Sequence, residues 1–85
     1  MIQSEFKKSQ QKEISSIIAK ILTAQRLKLE MDVNQMAERC RLEPRNLQTY
    51  EKRGTLDLGM ICYLAKHYKL SVIDLIKAAV PKAAL

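Results

Sequence analysis

Residues 32–54 read DVNQMAERCRLEPRNLQTYEKRG, and two short helices can be drawn from them. Asp32 stands three residues ahead of Gln35, the spacing of a capping box in which each side chain satisfies the other residue's backbone amide. Met36, Ala37 and Cys40 form an apolar face just behind it, which predicts a helix over about Val33 to Cys40. Pro44 suits the first turn of the next helix, where its missing amide proton would have had no intrahelical acceptor. Leu47 and Tyr50 supply the apolar side of that helix, which should end near Lys52 with Gly54 as its stop signal.

Upstream, Ile14, Ile17, Ile18, Ile21 and Leu22 recur at three- and four-residue spacing, and Leu29 returns to the same face, so a first helix is expected from Glu13 to about Leu29. Downstream, Asp57 can cap a helix carrying Leu58, Ile61, Leu64, Ala65 and Tyr68. Ser71 can cap a last one carrying Val72, Leu75, Ile76 and Ala79 until Pro81. Five helices and no strands result, with no internal repeat, low-complexity tract or Gly- or Ser-rich linker. Residues 1–12, with Lys7, Lys8 and Lys12 against Glu5, read as a polar, basic N-terminal arm or a frayed helical extension, disordered without a partner. Residues 13–80 form the domain and 81–85 a C-terminal tail.

Eighty-five residues suit one domain. Hydrophobic residues are 47% of the chain but aromatics only 5%, so Ile, Leu, Met and Ala must fill the core, a mix that favours helices over a sheet. The formal charge of +6 points to a polyanionic partner, either nucleic acid or an anionic membrane surface. The lysines are spread along the chain instead of gathered on one amphipathic helix, which disfavours the membrane. The start lacks the apolar stretch of a signal peptide and no run approaches a membrane span, so a soluble, cytoplasmic protein is expected.

Cys40 and Cys62 sit singly inside apolar helical patterns and read as buried free thiols. No set of four metal ligands can be assembled, and no cofactor is implied. The single histidine, His67, falls on the outer side of the fourth helix. No paired carboxylates, nucleophile with base, or phosphate-cradling loop appears, so no catalytic residue is assigned.

The series Met36-Ala37-x-x-Cys40-x-Leu42, then Leu47-x-x-Tyr50-Glu51, then Leu64-Ala65-x-x-Tyr68-x-Leu70-Ser71-x-x-x-Leu75 resembles the Cro/repressor (XRE-like) helix-turn-helix family over about Leu22 to Ile76. The resemblance implies an all-α, compact five-helix bundle containing a helix-turn-helix, a lambda-repressor-like DNA-binding domain. It also implies a salt bridge between Arg26, late in the first helix, and Glu51, at the end of the recognition helix. The chain departs from the family in three places. Arg41 stands where the turn often has Gly for a positive φ, Val33 replaces a frequent phosphate-contacting Gln, and Glu43 replaces the usual Ser or Thr before the recognition helix.

With Leu47 and Tyr50 inward, helical geometry places Arg45, Asn46, Thr49, Lys52 and Arg53 outward. In a helix-turn-helix the N-terminal part of this helix enters the major groove, making Pro44, Arg45, Asn46 and Thr49 the candidate base contacts. Arg45 can grip guanine, Asn46 adenine, and Pro44 can lie against a thymine methyl. Asn34, Gln35, Arg41, Lys52 and Arg53 are the candidate phosphate contacts. Between Arg39 and Arg53 five basic residues face only Glu43 and Glu51.

The family usually binds double-stranded DNA as a homodimer with its two recognition helices about 34 Å apart. The last helix carries Val72, Ile73, Leu75, Ile76, Ala79 and Val80 over a wider arc than core packing requires, with Leu85 adding to it. Ile73, Ile76 and Val80 are therefore the expected dimer contacts. The competing reading is a protein-interaction module, an antirepressor or an antitoxin, whose last helix meets a regulatory protein partner. Glu43 and Val33 favour it, while the basic face of the third helix opposes it.

Overall fold

The computed structural model describes the backbone of residues 2–84 and the side chains of residues 9–80. Five helices follow one another, and there is no strand among the described residues: α1 (Ile2–Lys28), α2 (Val33–Cys40), α3 (Pro44–Arg53), α4 (Leu58–His67) and α5 (Val72–Ala84). At 1.5 Å per residue α1 is about 40 Å long. It accounts for the 43 Å long axis of a molecule only 22 by 19 Å across. The helix begins at Ile2 and is continuous with residues 13–28, while the side chains of Lys7 and Lys8 lie outside the described residues.

α1 packs along α5 and α3, α2 against α3 and α4, and α4 against α5. Ile14, Ile18 and Leu22, four residues apart on α1, meet Met36, Ala37 and Cys40 of α2, Leu47 of α3, Ile61, Leu64 and Ala65 of α4 with Tyr68 at its end, and Leu75 and Ala79 of α5. Leu29, Val33, Tyr50 and Val72 lie partly buried around them.

Three connections share one chemistry. After α1, α2 and α4 the chain turns through a left-handed residue, respectively Glu30, Arg41 and Lys69, with φ of 59°, 57° and 59°. The amide of the next residue then donates back across the helix end: Met31 to Arg26, Leu42 to Ala37 and Leu70 to Ala65. Met31, Leu42 and Leu70 are each partly buried against the core. The residue after each begins the next helix: Asp32 caps α2, Glu43 precedes Pro44, and Ser71 accepts from the amide of Asp74. Burial of the apolar residue thus holds a charged residue in a conformation that glycine would adopt without steric cost.

The Asp32–Gln35 capping box forms in both directions, at 2.8 and 2.9 Å, and Asp57 accepts from the Met60 amide at 3.0 Å. Some expectations need correction. α5 runs through Pro81 to Ala84, although a proline there removes one amide donor and crowds the carbonyl four residues back. Leu58 is 61% exposed, since the first turn of α4 projects past the core. Cys62 is exposed while Cys40 is buried, and both are free. Burial pushes the Cys40 thiol above its ordinary pKa. His67 is half-buried, with its ring centroid 4.5 Å from that of Tyr63.

Candidate functional site

α3 turns one residue, Leu47, fully inward. Arg45, Asn46, Gln48, Thr49, Lys52 and Arg53 are all exposed, as is Pro44 at its start. Arg45, Gln48, Thr49, Lys52 and Arg53 together line a shallow surface hollow. Gln48 is an addition to the residues expected here, and its position three after Arg45 and four before Lys52 puts it between them. The Thr49 hydroxyl donates to the Arg45 carbonyl at 3.1 Å, leaving its lone pairs able to accept.

What fixes this helix is a polar cluster on its inner side. Arg26 Nε of α1 lies 3.0 Å from both carboxylate oxygens of Glu51, and its Nη1 donates to the Met31 carbonyl at 2.9 Å. The Tyr68 hydroxyl donates to Glu51 Oε2 at 2.5 Å. The Arg26 and Glu51 side chains are only 11% and 6% exposed. The Glu51 charge is therefore met by a cation from α1 and a hydroxyl from the end of α4, which ties three elements together. The pair engages through one nitrogen shared between two oxygens instead of a two-nitrogen fork. Thr23 adds a bond to the Glu51 carbonyl, and Gln25 one to the Tyr68 carbonyl. Burial first, and then the bond to the Glu51 carboxylate, hold the Tyr68 phenol above its usual pKa. Sequence reasoning missed this role for Tyr68, because its spacing reads equally well as a core aromatic.

α1 also meets the end of α3. The Ser15 hydroxyl donates to the Arg53 carbonyl at 2.5 Å, and Gly54, at φ 76° and ψ −165°, lets the chain leave α3 directly beneath α1. Beside this contact lies a larger hollow, lined by Lys12, Ser15 and Ser16 from α1, Lys52 and Arg53 from α3, and Leu56.

The start of α2 is closed by its own capping box. The Gln35 amide donates to Asp32 and the Gln35 side chain is turned back to the Asp32 amide, so the cap and a phosphate would compete for the same donor. The Asp32 carboxylate also opposes an anion there. Exposed Asn34 and the first-turn amides are what remains. Arg41 is exposed at the α2–α3 connection, and Glu43 is exposed with no capping bond of its own.

On α5, Ile73 is 61% and Val80 37% exposed, and Ile76 is partly buried between them. Leu85 lies outside the described residues. No helix among the described residues is long and apolar enough to cross a membrane, and no three His, Cys, Asp or Glu side chains among them gather as metal ligands would. Comparison with protein-family models, curated proteins and solved structures finds no match.

Proposed function

We propose that this chain is a sequence-specific double-stranded DNA-binding protein, a transcriptional regulator of the Cro/repressor kind. In this reading α2 and α3 act as a helix-turn-helix and α3 enters the major groove. Its main support is the outer face of α3, where Arg45, Asn46, Gln48, Thr49, Lys52 and Arg53 are exposed together. The one acid on the helix, Glu51, is turned inward and neutralised by Arg26. A face of guanidinium, amide and hydroxyl groups suits base edges at its N-terminal end and phosphates at its C-terminal end. Ile73, Ile76 and Val80 supply the apolar stripe through which two copies pair, and the protein works in the cytoplasm without catalysis or cofactor.

The second reading is a protein-interaction module. It is favoured by the self-capped start of α2 and by exposed Glu43, which weaken two ordinary phosphate contacts. Selection from a pool of random duplexes separates the two. Enrichment of one short motif supports the regulator, whereas no enrichment and no retention at low salt moves the function to a protein partner.

A further inference from the structure

Resting on the DNA-binding reading, we infer that the hollow between α1 and the end of α3 is a second phosphodiester site, which holds the DNA backbone beside the segment read by α3. The larger of the two hollows places Lys12, Ser15 and Ser16 of α1 against Lys52 and Arg53 of α3. Lys52 and Arg53 also line the hollow on the outer face of α3, so the two sites form one basic track that runs from Arg45 past the end of α3 onto α1.

The chemistry fits an anionic oxygen. Lys12, Lys52 and Arg53 are exposed and none is engaged by an acidic side chain among the described residues, where the one ion pair is Arg26 with Glu51. Three cations held close together repel one another, and an anion placed among them removes that repulsion. Ser16, four residues after Lys12, lies on the same side of α1 and offers a hydroxyl donor to the same anion. The Ser15 hydroxyl is already committed to the Arg53 carbonyl, which joins the two walls and keeps the hollow in shape. Gln11 also lines the hollow and is its one carboxamide, while three cations and two serines make up the rest of its polar lining and suit a phosphate oxygen, so its main contribution is to affinity and register.

The test is the salt dependence of duplex binding by the full chain and by Lys12→Gln, Ser16→Ala and Lys12→Arg. Removing one cation from a phosphate should lower the slope of log affinity against log salt by about 0.9, so that a fourfold rise in salt costs Lys12→Gln about 3.5-fold less affinity than it costs the parent chain. Lys12→Gln should weaken all duplexes alike, Ser16→Ala should weaken them less, and Lys12→Arg should restore the slope. An unchanged slope in Lys12→Gln, while the parent chain binds duplex, overturns the site. If the parent chain binds no duplex, inorganic pyrophosphate is titrated while backbone amide resonances are followed. Shifts at Lys12, Ser16, Lys52 and Arg53 that vanish in Lys12→Gln assign the hollow to a free phosphate instead of DNA. Their absence overturns it outright.

Discussion

A β-carbon on Gly54 would lie 1.8 Å from the carbonyl oxygen of Ser15. The backbone of α1 and the exit of α3 therefore touch with no side chain between them, at a φ and ψ that only glycine adopts readily. Gly54→Ala must push the two helices apart and strain the turn at once. We expect a loss of about 3 kcal/mol or more by urea denaturation.

The Arg26–Glu51–Tyr68 cluster makes a graded prediction. Glu51→Gln leaves a nearly buried guanidinium without its counter-charge and should cost about 3 kcal/mol. Tyr68→Phe removes one hydrogen bond to a charged acceptor and should cost about 1.5 kcal/mol. The double variant should fall short of the sum of the two, because both act on one carboxylate. Chemical denaturation of all three variants checks this.

Tyr68 also sets an alkaline limit. Its phenol pKa is raised in the folded chain above the ordinary 10.0 by burial and then by Glu51. Below pH 10 both states keep the proton, and this stability is fully present. Above it the unfolded chain releases the proton and the folded chain retains it, so stability falls with rising pH at up to about 1.4 kcal/mol per unit. Thermal melts between pH 8 and 11 should show this fall, and Tyr68→Phe should flatten it.

Glu30, Arg41 and Lys69 each occupy a left-handed conformation that costs a residue with a β-carbon about 1 kcal/mol or more. Lys69→Gly, remote in sequence from α3, should raise the melting temperature by about 2–4 °C, since the relief exceeds the added entropy of the unfolded chain by about 0.5 kcal/mol. Arg41→Gly should stabilise the fold similarly while weakening duplex binding, because it takes a cation away from the phosphates.

Pairing through α5 is checked by sedimentation. The parent chain should sediment as a dimer at micromolar concentration and Ile73→Glu as a monomer. A parent chain that is monomeric throughout removes α5 as the pairing surface.

The caps and the apolar spacing of α2 and α3 are legible in the sequence because their signals are local: Asp32 with Gln35, Pro44, and the pair Leu47 and Tyr50 each decide structure within a turn. The exposure of Leu58 and Cys62 is not, because periodicity tells which residues share a face but not how far the core reaches along it. Pro81 reads as a stop yet does not act as one, and nothing in the local sequence accounts for the turn of α5 that follows it. The Arg26–Glu51 pair follows from resemblance, whereas the Tyr68 hydroxyl and the Gly54–Ser15 contact depend on how α1 crosses α3 and α4, which no stretch of sequence encodes alone.

Whether the outer face of α3 reads DNA is decided by fluorescence anisotropy with a selected duplex and a scrambled one. The parent chain should prefer the selected duplex, with affinity falling steeply as salt rises. Arg45→Ala should lose about 1 to 3 kcal/mol of that preference and keep its binding to the scrambled duplex nearly intact. Equal discrimination by the two proteins would contradict the assignment of α3 as the reading element.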